Sequence, residues 1–274
     1  MNNEQEIARL NNIIKNLEEK IVSIEKERVE YLQNVSHQLV APLNAIKWHI
    51  ENLTGDRIGV ERAMKVLRSI YSQATLAVHL AKNFNLMSNL EADHALSNLK
   101  EPLQEVELLP LLINLADDFQ PLSWEKNISI RVDDTNFSKD SKVIAIKPLV
   151  SQVFSNIIEN ATKYSSTNTE IIIQGMKNIQ TKSFRVLIKN RGIRLSDDDK
   201  KHVFDRGYRS NAAKDKYPAG TGFGLYIAKK IVDIHEGKIG IIDDPTFTIF
   251  AVELPIDALR GKARMKNEKD GLAY

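Results

Sequence analysis

The feature that most constrains the fold is a repeat of apolar residues through residues 1–53. The apolar positions are spaced alternately three and four residues apart, which is the a/d pattern of a coiled coil. They are Ile7, Leu10, Ile14, Leu17, Ile21, Ile24, Tyr31 and Val35, followed by Leu39, Leu43, Ile46, Ile50 and Leu53, with Arg28 as the one polar exception. We therefore predict one long helix, from residue 1 to about residue 53, whose apolar seam needs a partner helix.

His37 lies where the two halves of this repeat meet. The step from Val35 to Leu39 is a second step of four where three was due, and such a stutter locally unwinds a supercoil. In either register His37 falls at an outward-facing position, and Pro42 removes a backbone hydrogen bond to the turn that carries it. Taken alone, the same pattern also describes a solvated surface histidine.

Composition limits the classes of protein to consider. The chain has 274 residues, 42% hydrophobic and 27% charged, which is enough for about two soluble domains. A net charge of +2 gives no strong field for nucleic acid, and the absence of cysteine excludes disulfides and thiolate metal sites. No apolar run approaches the roughly 20 residues of a membrane helix, and no signal peptide is recognisable. We expect a cytoplasmic protein, or the cytoplasmic part of a larger one.

The remainder of the chain predicts a second helix, a polar linker and an α/β domain. A helix from about Val60 to Leu90 follows a glycine-containing break, so the two helices form a hairpin, and two hairpins make a dimeric four-helix bundle. Helices then alternate with antiparallel strands, which favours a two-layer α/β sandwich. The expected helices span residues 110–125, 148–164, 200–203 and 223–235, and the expected strands span 127–132, 142–145, 170–175, 183–189, 238–242 and 246–254.

Two stretches of the α/β part carry groups suited to binding phosphate. Asn156 and Asn160 share one helix face, with Glu159 and Lys163 beside them; amide oxygens can hold a hard cation, and an ammonium can reach phosphate. The stretch Gly220 to Leu225 (GTGFGL) opens a helix, where glycines admit a phosphate and the first N–H groups are free. Each pattern alone is common, the first as a polar helix face and the second as an ordinary glycine-rich loop.

In their order along the chain, these elements resemble a sensor histidine kinase. Residues 36–43 (SHQLVAPL) are similar to the phosphoacceptor box, 156–165 (NIIENATKYS) to the asparagine box, 204–209 (FDRGYR) to the stretch before the nucleotide lid, and 220–237 to the second glycine box. The resemblance runs from about Glu30 to Leu254. It implies an α+β fold, in which a coiled coil and helical hairpin form a dimeric four-helix bundle, followed by a two-layer α/β sandwich of the histidine-kinase ATPase (Bergerat) type.

The resemblance also implies an organisation into domains and partners. A coiled coil would occupy residues 1–30, a HisKA-type dimerisation and phosphotransfer hairpin 31–92, a linker 93–106, a catalytic ATP-binding domain 107–258 and a flexible tail 259–274. The chain would form a homodimer through the hairpin and coiled coil. It would pass a phosphoryl group to an aspartate of a separate response-regulator receiver domain. No nucleic-acid partner and no membrane segment in this chain are expected.

The implied roles can be written residue by residue. His37 would accept the γ-phosphoryl group of ATP, with Gln38 beside it in the catalytic centre, and Asn160 would bind Mg²⁺. ATP and Mg²⁺ are therefore the expected cofactors. The residues expected to bind the nucleotide are Asn156, Asn160, Lys163, Tyr164, Asn190, Gly192, Arg209, Gly220, Thr221, Gly222, Gly224 and Leu225.

Four positions depart from the family pattern, and one of them is Ala41, where the family often has Thr or Asn at the fourth position after the histidine. The first glycine box, Asp-x-Gly-x-Gly in the family, has Asn190 in place of the aspartate that accepts the adenine amino group and Arg194 in place of the second glycine. A neutral acceptor is weaker by about 1 kcal/mol, or roughly fivefold in affinity, and Arg194 would either crowd the pocket, contact phosphate or point to solvent. Gln38 replaces the usual acid after the histidine, and general-base help is typically worth about 10²–10⁴-fold.

Three functions consequently stay open. The first is an active dimeric autokinase, possessing a weakened site. The second is a degenerate pseudokinase scaffold that dimerises and docks a partner without efficient ATP turnover. The third is an ATPase of the same nucleotide fold whose hydrolysis closes a clamp, and the exposed position of His37 next to Pro42 argues against it.

Overall fold

The structure is a computed structural model that describes residues 3–54, 59–90, 102–137, 141–218 and 220–257. It begins with two long helices. Helix α1 spans Asn3–Thr54 and contains Pro42, and helix α2 spans Val60–Leu90. The two helices pack against each other, and the ring of Tyr31 stacks on Phe84 with centroids 6.2 Å apart. The predicted pair of helices is confirmed. Most of the predicted break at 54–59, the segment 91–101 and the tail 259–274 lie outside the described residues.

The apolar seam of α1 is largely uncovered within one chain. Its positions from Ile7 to Ile24 are between 46% and 58% exposed, and Leu43 and Ile50 are similar. Tyr31 and Val35 are buried instead, because they belong to the core that α1 shares with its own chain. A continuous exposed apolar stripe of this kind is typical of a helix that packs on another copy of the chain. The stripe is in line with the dimeric four-helix bundle, which stays a prediction.

The second half of the chain is a mixed α/β domain. Its strands are β1 (Gln104–Glu107), β2 (Ser129–Asp133), β3 (Lys142–Ala145), β4 (Glu170–Asn178), β5 (Ser183–Asn190), β6 (Lys238–Ile242) and β7 (Thr248–Pro255). Its helices are α3 (Leu108–Ser123), a 3₁₀ turn (Trp124–Lys126), α4 (Lys147–Tyr164), α5 (Asp197–His202), α6 (Asn211–Lys216) and α7 (Gly224–Ile234).

Five strands form the main sheet, in the order β2-β4-β5-β7-β6. Strands β4 and β5 form one antiparallel hairpin, and strands β6 and β7 form another. Helices α3, α4 and α7 pack on one another and on the sheet, and the largest buried side chains include Phe154, Ile157 and Phe184. The expected two-layer α/β architecture is thereby confirmed.

Three details of this domain differ from the sequence prediction. Strand β2 pairs with β4 in parallel, because the chain crosses over through α4 between them. Strand β1 lies within the stretch predicted as linker, and it pairs with β3 because Val106 is buried there. Helix α6 was not predicted; it is a short helix whose first turn is capped by the Ser210 hydroxyl, which accepts from the N–H of Ala213.

The helical hairpin lies against the α/β domain. Helix α2 contacts α3, α4 and α7. The guanidinium of Arg68 sits 5.0 Å from the Trp124 ring centroid, and the Tyr71 hydroxyl donates to Asp118 Oδ1 at 3.2 Å. The chain therefore forms one interface between its two halves, and that interface borders the site described next. In the described part of the chain, no helix has the length and apolarity needed to cross a membrane.

Candidate active site

A cavity opens where α4, the end of β5, the loop before α7 and the hairpin meet. It is lined by most of the predicted site residues, namely Gln38, Asn160, Lys163, Tyr164, Asn190, Arg209, Gly220, Thr221, Gly222, Gly224 and Leu225. It is also lined by Leu80, Asn83, Glu159, Ile193, Leu195, Val203, Tyr208, Ser210, Ala213, Thr248 and Phe250. Three predicted residues, His37, Asn156 and Gly192, do not line it.

Helix α4 supplies the polar wall of the cavity. Pro148 in its first turn supports the helix start, and its apolar stripe packs into the core, which turns Asn160 and Lys163 toward the cavity. Asn156, one turn earlier on the same face, is fully buried, and its Oδ1 would be 3.6 Å from a Cβ at Gly224. Asn156 therefore lies beneath the glycine loop, on the side of the loop away from the cavity.

The glycine loop before α7 is built around Gly222. This residue has φ of +73°, a left-handed conformation that favours glycine, and a Cβ there would lie 2.6 Å from the carbonyl carbon of Gly207. The loop continues into Gly224, the first residue of α7, so the free N–H groups of that helix start face the cavity edge. Between these glycines, the ring of Phe223 packs on Tyr31 of α1 with centroids 4.3 Å apart.

The altered first glycine box keeps an open pocket. Asn190 ends β5, is 3% exposed and lines the cavity. Gly192 is required by a close backbone approach, because a Cβ there would overlap the carbonyl of Tyr164. Arg194 donates to the carbonyl of Pro245 in the turn between β6 and β7 and does not line the cavity. Of the three placements considered for Arg194, crowding of the pocket is therefore not what the structure shows.

Residues 209–218, here called the lid, are fastened by one guanidinium. Arg209 donates to the carbonyls of Ala213 at 2.9 Å, Pro218 at 2.8 Å and Gly220 at 2.9 Å, and also to that of Tyr217. In this arrangement Arg209 holds the lid in shape, and its predicted contact with nucleotide would require some of these bonds to be exchanged.

The lid is also attached to the carboxyl end of α4. Lys216 donates to the carbonyls of Tyr164 and Ser165, both at 3.2 Å, and the Tyr164 and Tyr217 rings meet edge to face at 5.8 Å. Burial lowers the pKa of Lys216, assisted by the nearby Lys126 ammonium. An ammonium at the carboxyl end of a helix stabilises its unpaired carbonyls, so the lid rests on α4 by a favourable contact.

Glu159 is a buried carboxylate at the junction of the cavity and the hairpin. Its Oε1 lies 2.5 Å from Lys163 Nζ, and its Oε2 lies 2.9 Å from Nε2 of His79 on α2. Burial by itself raises the pKa of Glu159, but the charges and hydrogen bonds of Lys163 and His79 outweigh burial and hold that pKa below its usual range. The same carboxylate raises the pKa of Lys163 against the effect of burial. Glu159 is thus ionised and Lys163 protonated at neutral pH.

His37 and Gln38 occupy adjacent positions on α1 at the edge of this site. His37 is exposed, as predicted from its place in the repeat, and Gln38 is half-buried and lines the cavity. Leu80 and Asn83 of α2 line the same wall. The hairpin therefore closes one side of the cavity with the turn that carries His37.

The residues present fit a magnesium-bound nucleotide. Gly222 lines the cavity, and its lack of a Cβ lets the loop pack directly on the backbone of Gly207 and Tyr208. Within the described part of the chain, Asn156 Nδ2 is a buried donor without a hydrogen-bond partner, but the Asn156 side chain lies beneath the start of α7 and does not line the cavity. Asn160 and Lys163 add an amide and an ammonium at the same edge. A free helix start and an ammonium bind phosphate oxygens, and an amide oxygen can hold the accompanying cation.

Comparisons with known proteins show which families this chain resembles. Residues 145–258 match the family model described as histidine kinase-, DNA gyrase B- and HSP90-like ATPase. Over 218 residues the chain is 28% identical to the sensor protein kinase WalK of Staphylococcus aureus, a match that covers 79% of this chain and 50% of that protein. The chain is a homologue of the sensor histidine kinases. It spans about half the length of this curated relative and a smaller share, 34%, of others of the same name.

Solved histidine kinases share the architecture. The catalytic domain of histidine kinase ThkA is 25% identical, with a TM-score of 0.50 over 57% of this chain and 96% of that chain. ThkA in complex with the response regulator protein TrrA matches 84% of this chain and 62% of that chain, with a TM-score of 0.53 at 20% identity. The family model covers the ATPase part of the histidine kinase homologue, and the two amino-terminal helices are consistent with a HisKA-type hairpin.

Sequence reasoning missed the contribution of α2 and of Glu159 to the site. Leu80 and Asn83 carry no motif, and no sequence pattern marks His79, which is 4% exposed, as buried against the ATPase half. One signal was available: Glu159 sits inside the asparagine box, and a carboxylate between two amides and a lysine needs a cationic or donor partner once it is buried.

Proposed function

We propose that this chain is an ATP-dependent protein-histidine kinase that phosphorylates His37 from Mg-ATP and passes the phosphoryl group to an aspartate of a separate response regulator. One observation carries the proposal. Gln38, the neighbour of His37, lines the same cavity as Asn160 and Gly222. The proposed acceptor turn and the proposed phosphate-binding groups therefore face each other within a single chain.

The transfer needs alignment more than covalent help from the protein. A ring nitrogen of neutral His37 attacks the γ-phosphorus, an N–P bond forms, and the bond from the γ-phosphorus to the β–γ bridging oxygen breaks. ADP leaves, and the imidazole loses its other N–H proton. Mg²⁺ held through Asn160 would neutralise phosphate charge, while Lys163 and the start of α7 hold the phosphates in line.

We expect this transfer to be slow. Gln38 has no carboxylate to take the proton that the imidazole loses, and Asn190 offers adenine a neutral acceptor. Both residues line the cavity, so neither substitution is remote from the chemistry. Neither blocks the space for a nucleotide.

The proposed partners follow from exposed features. The uncovered seam from Ile7 to Ile24 supports a homodimer through α1 and α2. His37 is open to solvent, which supports access by the receiver domain of a second protein. The likeness to a histidine kinase solved with a response regulator is in line with that partner.

The test is transfer of label from γ-labelled ATP with Mg²⁺. The protein should acquire label that is labile in acid and stable in base, and His37→Gln should lose it. His49→Gln is the matched control, since it makes the same change about three turns further along α1, away from the cavity, and should keep the label. Free phosphate without labelled protein would instead support a clamp-type ATPase, and label in His37→Gln would refute His37 as the acceptor.

A second function, a degenerate scaffold, is favoured by the substitutions at Gln38 and Asn190. A scaffold would dimerise and bind its partner through the hairpin without efficient turnover. Absence of label together with no measurable ATP binding supports it. Binding of ATP with label at His37 excludes it.

A further inference from the structure

His79 is a buried histidine at the interface of the two halves of the chain, and the proposed chemistry does not use it. It is 4% exposed and belongs to α2. Its Nε2 lies 2.9 Å from Glu159 Oε2, its Nδ1 lies 3.1 Å from Gln152 Nε2, and its ring meets Phe119 edge to face at 5.6 Å. Glu159, Gln152 and Phe119 belong to the ATPase half, in α4 and α3, while Nε2 also lies 3.2 Å from Asn83 Nδ2 of its own helix.

The Glu159 contact fixes where one proton sits. An ionised carboxylate can only accept hydrogen bonds, so at 2.9 Å Nε2 of His79 must carry a proton and donate it. The other carboxylate oxygen of Glu159, Oε1, accepts from Lys163 Nζ at 2.5 Å. The three side chains therefore form a continuous link, from the hairpin through a buried carboxylate to the ammonium that lines the cavity.

We propose that His79 is a positioning residue for phosphoryl transfer to His37. Its imidazole seats α4 on α2, so that Lys163 is held in place and the turn of His37 faces the nucleotide. This inference rests on the proposed kinase function and adds the residue that docks the ATPase domain on its own hairpin.

Two features argue that the link serves position rather than packing alone. A buried polar contact is a poor way to gain stability, because a well-packed apolar pair of similar volume is often as stable or more so. A hydrogen-bonded pair instead fixes direction. The turn of α2 that follows His79 contributes Leu80 and Asn83 to the cavity wall, so an error in docking at His79 displaces the wall itself.

The kinetic test compares His79→Leu, His79→Gln and His49→Leu. His79→Leu removes the donor, and the maximal rate of label incorporation should fall between about tenfold and about a hundredfold, because a small misplacement of reacting groups has effects of that size. Affinity for a non-hydrolysable ATP analogue should stay within about twofold, since Lys163 keeps Glu159. His79→Gln restores an N–H donor and should recover much of the rate. His49→Leu makes the same change in α1, away from α4, and should behave as wild type.

The docking test does not require catalysis. The chain has two tryptophans, and a Trp48→Phe background leaves Trp124, whose ring lies beneath Arg68 of α2. Loosened docking in His79→Leu should expose Trp124 and increase its quenching by acrylamide, whereas His79→Gln should not. If the wild type takes up no label, the kinase proposal fails on its own, and this assay still decides whether His79 docks the two halves.

Several outcomes overturn the inference. These are equal labelling rates for His79→Leu and His49→Leu, a rate increase in His79→Leu, or unchanged Trp124 quenching. If His79→Leu fails to fold by circular dichroism, His79→Phe removes the same donor while keeping a planar ring of similar shape between Glu159 and Phe119. It should show the same slowed labelling in a folded protein, and a wild-type rate there also counts against His79.

Discussion

Replacing Gly222 by alanine should disable the nucleotide loop more than its size suggests. Gly222 has φ of +73°, where an L-residue is strained by about 1–2 kcal/mol. Its Cβ would also lie 2.6 Å from the carbonyl carbon and 2.7 Å from the carbonyl oxygen of Gly207. Those atoms are backbone and cannot rotate away, and such overpacking costs about 1–3 kcal/mol more. The total is about 2–5 kcal/mol.

Two measurements check this expectation. In thermal unfolding, 1 kcal/mol corresponds to roughly 2–4 °C for a domain of this size, so the midpoint should fall by at least about 4 °C. In nucleotide binding, affinity should be lost further, because relief of the clash moves the loop that we propose faces the phosphates. Phe223 follows Gly222 and packs on Tyr31, so Trp124 quenching should also report a disturbed interface.

The matched control is Gly240→Ala. Gly240 lies in β6 and has no positive φ, and a Cβ added to it would have no other atom within 4 Å. Adding a methyl group at a compatible position stabilises by about 0.4–1 kcal/mol through the unfolded chain, so this variant should be as stable as wild type or more so. Equal unfolding midpoints and equal nucleotide affinity for the two variants would refute the reasoning from Gly222.

Three further predictions concern the cavity and the core. Asn190→Asp should tighten ATP binding roughly fivefold in calorimetry by supplying a charged acceptor, and weaker binding would show that Asn190 does not face adenine. Gln38→Glu should speed label uptake by about 10²-fold or more in a single-turnover assay, and no acceleration would place Gln38 away from the departing proton. His235 accepts the N–H of Ile146 at 3.1 Å, and burial lowers its pKa below 6.5. The unfolded chain therefore binds more protons below about pH 6.5, so the free energy of unfolding should fall between about pH 7 and about pH 5.5 in urea titrations. His235→Gln should flatten that slope, and an unchanged slope would exclude His235 as its source.

The positions of most helices and strands were predictable because they follow from local periodicity. The repeat through Leu17 and Leu43 predicted α1, and alternation over residues 127–132 predicted β2 at Ser129–Asp133. Strand β1 was not predictable in the same way. Only Val106 of its four residues is buried, and its pairing with β3 depends on a partner far along the chain.

The residues of the candidate site were largely predictable from the sequence, but which of their side chains are buried and which line the cavity was not. The i, i+4 spacing of Asn156 and Asn160 gave a shared face, yet one side chain is fully buried and the other lines the cavity. The direction of Arg194 depends on the carbonyl of Pro245, which no local pattern announces. His79 and Glu159 meet only because the two halves of the chain dock, and docking leaves no signature in either segment alone.

Because the ring of Phe223 packs on Tyr31, a movement of the long helix α1 is transmitted directly to the glycine loop before α7. Free-energy coupling between two places is reciprocal, so a twist imposed on α1 that favours one seating of Phe223 changes ligand affinity by the same factor with which ligand biases the twist. The twist of α1 and the binding of ligand would then be coupled through one aromatic contact, without a hinge between them.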